Sequence, residues 1–350
     1  MQAILAVTLP FFTLVLLGWF AARRGWLPES AVPGLNSFVL FFALPALLLR
    51  FGMSTPVMEL LNPVVLGVYL LAGAAIVALT VALTWREPQC ALKDASFGAL
   101  VAAFPNSGFM GVPLLVTLLG PAAAGPVICT VLADMIITTS VCVGLAESRG
   151  PVQPGQLARD HGPRAAALKA LRGALSNPLP WSIAVGVGMG WQGWVLPGPL
   201  WRVVQLLADA ATPVALFTIG AVLWRSGSAA RASGRRAALG SYVPVALIKL
   251  IVHPLAVGGL GWWAQRQGLP LSPLQWMALT LVAALPSASN VSLLAERYGA
   301  DNGRIARIIL ASTVLAFGSF SALAWWLGVQ PTAPDGAPLP NPSPTRGEGR

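Results

Sequence analysis

The chain has 350 residues, 56% of them hydrophobic and only 10% charged, with a mean hydropathy of +0.72. Soluble domains carry about a quarter charged residues, so the composition excludes a soluble globular protein and points to a polytopic membrane protein without a separate soluble domain. The net charge of +10 then records membrane-flanking loops and not a nucleic-acid surface, and three scattered cysteines, Cys90, Cys129 and Cys142, give neither a disulfide framework nor a metal spacing.

Apolar runs of about 20 residues mark spans. The first covers about residues 3–22 and has no leading basic region; Arg23 and Arg24 follow it, which predicts an uncleaved span and not a signal peptide. The second, 32–51, holds Asn36 and Pro45, and the third is 63–85. The fourth, about 96–119, is interrupted by Phe104-Pro105-Asn106-Ser107-Gly108-Phe109-Met110-Gly111-Val112-Pro113. The fifth, 125–146, carries Asp134. A polar, basic segment at 147–173 divides the chain. The sixth run is 178–196; the seventh, 202–224, holds Asp209 and Pro213; the eighth, 237–264, holds Lys249, His253 and Pro254. The ninth is interrupted by Leu285-Pro286-Ser287-Ala288-Ser289-Asn290, and the tenth is 305–327. The Pro- and Gly-rich tail after Gln330 is expected to be disordered.

Runs four and nine are the unusual ones. Proline removes a backbone donor and clashes one turn back, and in lipid the freed groups need partners from protein or trapped water. Each stretch therefore reads as a helix that breaks in mid-membrane beside a polar cavity. Ala102-Ala103-Phe104-Pro105 aligns with Ala283-Ala284-Leu285-Pro286. Leu44-Pro45-Ala46-Leu47 resembles Thr212-Pro213-Val214-Ala215, and Val131-Leu132-Ala133 resembles Ile309-Leu310-Ala311. The matches fall in one order and predict two five-span repeats, 1–146 and 174–328, joined by a basic linker at 147–173 and followed by a tail at 329–350. Two broken helices at matching places in two halves point to the binding site of a secondary transporter; the plainer alternative is a pair of kinked helices.

Sixteen of the 22 Lys and Arg fall in loops after the odd-numbered runs. By the positive-inside rule the central linker is cytoplasmic and both termini lie outside. An odd number of spans per half then makes the second repeat inverted relative to the first.

Among candidate functional residues, Asn106 and Asn290 stand beside the two breaks, with Pro105, Gly108, Pro286, Ser287 and Ser289. Their amides could complete an anion site made of helix N-termini and free backbone donors; the alternative is interhelical hydrogen bonding alone. Lys249 lies well inside a span, where a charge needs a partner or a wet cavity. It could compensate a bound carboxylate, stand where a coupling cation would, or pair structurally with Asp134, Asp209 or carbonyls freed at a break. His253, one turn on, could relay protons or cover backbone freed at Pro254. Asp134 could be a protonation site or the counter-ion of Lys249. Asp209 could join them or cap the kink at Pro213.

These residues resemble the auxin efflux carrier family in its bacterial, malonate-transporter-like branch, over nearly the whole chain short of the tail. The resemblance rests on Asn36-Ser37-Phe38-Val39-Leu40-Phe41-Phe42-Ala43-Leu44-Pro45, on the Pro105-Asn106 stretch, on Asp209-Ala210-Ala211-Thr212-Pro213, on Lys249 ahead of Pro254, and on Leu285 to Asn290. It implies an all-α fold of ten transmembrane helices in a 5+5 inverted repeat, like bile acid symporters and sodium/proton antiporters. It also implies a small organic anion as substrate, bound near Asn106 and Asn290, with one bundle moving against a scaffold. The coupling ion is left between proton and sodium, and a homodimer is left open. The short linker departs from the long hydrophilic loop of plant members.

The expected function is secondary transport of a carboxylate such as malonate, malate or an auxin-like acid across the cytoplasmic membrane, in contact with membrane lipid and with no nucleic acid partner. The rivals are a channel-like anion facilitator and an intramembrane enzyme. No Ser/His/Asp set, metal-ligand cluster or Walker loop is present in the sequence, so no catalytic residue and no cofactor is expected.

Overall fold

The computed structural model describes residues 1–56, 62–86, 90–148, 168, 172–173, 175–232 and 239–331. Most of the expected linker at 147–173 and the tail beyond residue 331 lie outside these residues. Among the described residues every regular element is a helix, and the only β-type pairing is an isolated bridge between Pro105 and Ser287. Seven helices are long and apolar enough to cross a membrane: α1 (Gln2–Arg23), α2 (Ala31–Ser54), α3 (Pro63–Thr84), α6 (Pro121–Glu147), α8 (Gly198–Ala232), α9 (Val243–Arg266) and α12 (Asn302–Trp326). Between them come α4 (Leu92–Ala103), α5 (Ser107–Leu119), α7 (Pro178–Trp191), α10 (Pro273–Ala283) and α11 (Asn290–Arg297). The protein is thus a polytopic, all-helical membrane protein.

The fourth and ninth runs each divide into two short helices, α4 with α5 and α10 with α11, with extended chain at Pro105 and at Pro286 to Ala288. The sixth run differs from expectation. Its helix α7 has 14 residues, about 21 Å at 1.5 Å per residue. It ends where Gly193 takes a φ of 66°, a left-handed turn that glycine adopts without strain.

Not every proline breaks its helix. Pro10 and Pro213 lie inside α1 and α8. In three other helices a five-residue π turn stops two residues before a proline: Val39–Ala43 before Pro45, Ser107–Gly111 before Pro113, and Ile248–Val252 before Pro254. The wider turn makes room for a ring that would clash with the carbonyl one turn back. A fourth π turn, Ala133–Thr138, lies in α6 and contains Asp134.

Helices α1, α2, α7 and α8 pack as one group, and α3 to α6 with α9 to α12 as another. The first group is held by glycines at backbone crossings. A methyl at Gly18 would overlap the Phe217 carbonyl of α8, and one at Gly220 would overlap the Val15 carbonyl of α1. Likewise, a Cβ at Gly186 or Gly190 of α7 would lie 2.5 Å from the carbonyl oxygen of Leu49 or Met53 of α2. Small residues four apart let membrane helices approach to backbone contact and gain dispersion where lipid offers no hydrophobic drive. Between the groups, Phe12 of α1 meets Phe317 of α12 edge-on at 5.1 Å, and the hydroxyls of Thr8 and Ser321 lie 3.3 Å apart. Outward faces carry exposed Leu16, Phe41, Phe42, Leu71 and Leu255, as lipid contact requires, and exposed tryptophans close α7, α9 and α12 at Trp191, Trp262, Trp263, Trp325 and Trp326.

Gly220→Ala should therefore force α1 and α8 apart and destabilise the protein by about 1–3 kcal/mol, the usual range for overpacking. Gly73→Ala in α3, where an added methyl meets nothing within 4 Å, should be neutral or stabilising. Thermal unfolding in detergent measures both, and equal midpoints would remove the close crossing.

Candidate functional site: a backbone-paired crossover

The two broken helices meet at their breaks. The Asn106 N–H donates to the Pro286 carbonyl at 2.8 Å, and the Ala288 N–H donates to the Phe104 carbonyl at 3.0 Å. This is one short antiparallel pairing between chain segments about 180 residues apart, in the middle of an otherwise helical body. Each break supplies the backbone partner that the other lacks. Three further bonds complete the knot: the Ser287 N–H donates to Ser312 Oγ of α12 at 3.2 Å, and the Asn106 carbonyl accepts from the N–H groups of Met110 and Gly111 at 3.1 and 3.0 Å.

Side chains at the knot are less well satisfied. Asn106 is 3% exposed, and its amide oxygen has no hydrogen-bond partner. The amide oxygen of Asn290 and the hydroxyl of Ser287 are buried and unpartnered too. A buried polar atom without a partner costs about 1–3 kcal/mol, and three of them together mark a place built for something else. Beside them, an added methyl at Gly108 would meet nothing within 4 Å, so the chain leaves open space at the start of α5. Pro105 and Pro286 are buried, and Ser289 is half-buried. The first turns of α5 and α11 point their N-termini at this region, the ends of helices that attract anions.

Lys249 lies on the π turn of α9, fully buried. Its Nζ donates to the Ala283 carbonyl at 2.6 Å and lies 3.2 Å from His253 Nδ1. Ala283 is the last residue of α10, so the ammonium caps a half-helix C-terminus, where the helix dipole is negative. Of the structural partners open to it from sequence, the freed carbonyl is the one realised; no ion pair within 4.0 Å joins Lys249 to Asp134 or Asp209. With Lys249 as an ammonium, which only donates, His253 Nδ1 accepts from it; His253 Nε2 is buried without a partner.

Asp134, 1% exposed, accepts from the Tyr69 hydroxyl at 2.6 Å and from Thr138 at 3.0 Å. The Tyr69 ring lies 6.1 Å from the His253 ring. Thus two buried polar pairs, Asp134 with Tyr69 and His253 with Lys249, meet at a ring contact between Tyr69 and His253 and extend from α6 through α3 and α9 to the end of α10. Asp209 does not join them. Its carboxylate, 65% exposed, pairs with Arg50 at 2.7 Å within the first helix group, in place of the cap suggested at Pro213.

Sequence reasoning missed three contributors. Tyr69 is one of only three tyrosines in the chain, and a lone phenol in an apolar run was the available signal. Ser312 resembles any other small hydroxyl in a span. Arg304 was counted as a loop cation, but it sits in the first turn of α12 and is 6% exposed. It donates to the Ser241 carbonyl at 2.7 Å and lies 3.4 Å from Cys90 Sγ. Close by, Asp94 of α4 accepts from the Asp301 N–H at 2.8 Å, and Lys93 donates to the Tyr298 carbonyl at 3.0 Å. These bonds latch α4, α11 and α12 together at one end.

Comparison with known proteins finds relatives named as transporters. A protein of Rhizobium meliloti (strain 1021) named "Putative malonate transporter" is 29% identical over 326 residues, 93% of this chain and 96% of its own. An "Uncharacterized transporter" of Methanothermobacter thermautotrophicus is 25% identical, with 88% and 93% covered. "Uncharacterized transporter YfdV" of Escherichia coli (strain K12) is 23% identical, with 88% and 92% covered. The family described as "Membrane transport protein" matches residues 3–324, and the chain belongs to that family, the one that holds the auxin efflux carriers.

Proposed function

We propose that the protein is a secondary active transporter that moves a small organic anion across the cytoplasmic membrane by alternating access, with the substrate held at the crossover. One observation carries the reading. The helix breaks satisfy each other's backbone, yet leave the amide oxygens of Asn106 and Asn290 and the Ser287 hydroxyl buried and unpartnered beside open space at Gly108. A carboxylic substrate there would meet helix N-termini and two amides in a site of low dielectric, where charge-assisted hydrogen bonds are strong. The name of the Rhizobium relative supports a short dicarboxylate such as malonate as the first substrate to try.

On this reading α4 with α5 and α10 with α11 are spans four and nine, and α7 is span six. The ten spans form a 5+5 inverted repeat, 1–146 and 174–328, with both termini outside. The glycine-crossed group α1, α2, α7 and α8 is the scaffold, and the group bearing the crossover is the moving bundle. Lys249, with His253, Tyr69 and Asp134, places a positive group at the broken helix without exposing it to substrate. It thereby holds the half-helix end in the geometry that substrate needs. Asp209 and Arg50 belong to the scaffold and stay out of the coupling.

Asn106→Ala and Asn290→Ala should each weaken malonate binding to purified protein about ten- to a hundredfold, as expected when a buried hydrogen-bonding group is removed. Calorimetry measures this, and counterflow in proteoliposomes should fall in step. Wild-type affinity in both variants would place the site elsewhere, and uptake that never exceeds equilibrium under any ion gradient would favour a facilitator. Lys249→Ala frees the Ala283 carbonyl, so turnover should drop at least about tenfold with folded protein retained; transport unchanged at every pH would retire the role of Lys249. Single-cysteine labelling in a cysteine-free background should find positions beside Arg164 and Arg231 in the cytoplasm and Gln330 outside. A cytoplasmic Gln330 would break the inverted repeat.

A further inference from the structure

We infer that the crossover takes its organic acid in a form that still carries a hydrogen-bond donor, the half-ionised dicarboxylate or a hydroxycarboxylate, and discriminates against the fully ionised dianion. The inference rests on the crossover being the substrate site. It follows from what that site lacks and what it offers. Three buried polar atoms there have no partner, and two of them are amide oxygens, at Asn106 and Asn290. Whichever way an amide is turned, it presents one carbonyl acceptor as well as its two donors. Carboxylate oxygens only accept. A dianion can use the amide N–H groups, the Ser287 hydroxyl and the helix N-termini, but it has nothing to give the amide oxygens and meets their dipoles head-on. An acid with one ionised and one O–H-bearing group fits both halves. The carboxylate takes the donors, and the O–H goes to an amide oxygen that is otherwise left empty-handed.

Charge points the same way. Lys249, fully buried, already gives hydrogen bonds to the Ala283 carbonyl and His253, so it is not free to close on a second carboxylate. Arg304, the second buried cation among the described residues, donates to the Ser241 carbonyl and lies against Cys90 and the Asp94 carbonyl; its Nη2 is unpartnered, but it belongs to the latch at that end of α4 and α12 and not to the crossover pairing. Taking a second carboxylate charge out of water adds a further desolvation cost, and among the described residues no uncommitted cation stands at the crossover to offset it.

Among the described residues the titratable groups nearest the crossover are Lys249 and His253 of α9, which reach it through the Ala283 carbonyl, and behind them Tyr69 of α3 and Asp134 of α6; Glu296 of α11 is exposed, and Arg304 of α12 lies in the latch with Asp94. Any of them could make binding depend on pH, so the test must separate substrate ionisation from protein ionisation. Calorimetry on the purified full chain with malonate, glycolate and propionate does so, across the pH range in which malonate loses its second proton. Glycolate keeps its hydroxyl and its single charge throughout, and propionate replaces that hydroxyl with a methyl of similar size. Malonate affinity should fall about tenfold per pH unit above its second ionisation, glycolate affinity should stay level, and glycolate should bind at least about tenfold tighter than propionate. This wild-type comparison needs no variant to fold. Malonate affinity that is level or rises with pH, a parallel fall for malonate and glycolate, or glycolate no tighter than propionate would overturn the inference. The crossover would survive such a result if Asn106→Ala still weakens malonate binding. No binding of any of the three acids, or binding indifferent to both Asn106→Ala and Asn290→Ala, would remove the crossover as the site and the inference with it.

Discussion

A membrane interior tolerates no free backbone polar group, and everything notable here follows from how two broken helices meet that demand. Each unsatisfied group in hydrocarbon costs several kcal/mol. Pro105 and Pro286 each interrupt an apolar helical run, and the freed N–H and carbonyl groups lie buried without a helix to turn to. They turn to each other: Asn106 to Pro286, and Ala288 to Phe104. The solution demands that the breaks lie at equal depth, that the segments run antiparallel, and that nothing bulky intervenes. Small and polar residues follow each proline for that reason. It also brings four half-helix ends together at the pairing.

The negative ends need a second device. At the last turn of α10 a carbonyl is left over, and Lys249 covers it. The lysine reaches that carbonyl because α9 carries a π turn at Ile248–Val252, and the π turn exists to accommodate Pro254. The proline, the wider turn, the direction of the ammonium and the cap of the neighbouring half-helix thus stand together in one stretch of α9. Asp134 sits on its own π turn, held by Tyr69 and Thr138 instead of by the lysine. The buried charges are therefore arranged through hydrogen bonds from neutral groups, which soften the desolvation that a bare pair would suffer.

Much of this was legible in the sequence. The broken runs, their prolines and asparagines, and the intramembrane Lys249 and Asp134 stand out because each violates what a plain lipid-facing helix allows. What stayed hidden depends on distances between helices. Nothing in the order of residues says that Phe104 and Ala288 exchange a hydrogen bond, because backbone carries no sequence signal. The partner of Lys249 was open among Asp134, Asp209 and a freed carbonyl, and only packing chooses the last. Asp209 draws notice as a carboxylate in a span, yet its side chain is 65% exposed and paired with Arg50 of α2. Arg304 misled in the other direction: two residues of helix beyond its cap bury a cation that looks like a loop charge.

The two helix groups solve different problems. In α1, α2, α7 and α8, contact is backbone against backbone at Gly18, Gly220, Gly186 and Gly190. Such packing is short-ranged and stiff, because any separation forfeits the dispersion gained at close approach. In the other group, the bonds that hold the crossover, from Asn106 and Ala288 to Lys249 and Ser312, all stay inside the group. Between the groups stand apolar surfaces such as Phe12 against Phe317, with the paired hydroxyls of Thr8 and Ser321. On the proposed mechanism this division has a consequence. A bundle that slides on a greasy face exchanges one set of dispersion contacts for another of similar strength. A bundle tied by buried polar bonds would have to leave donors and acceptors empty at mid-stroke, at about 1–3 kcal/mol each. Keeping the polar knot within one body and the sliding face apolar but for the Thr8–Ser321 hydroxyl pair is how, on that mechanism, a chain can carry a costly, unpartnered binding site through the membrane without dismantling it on the way.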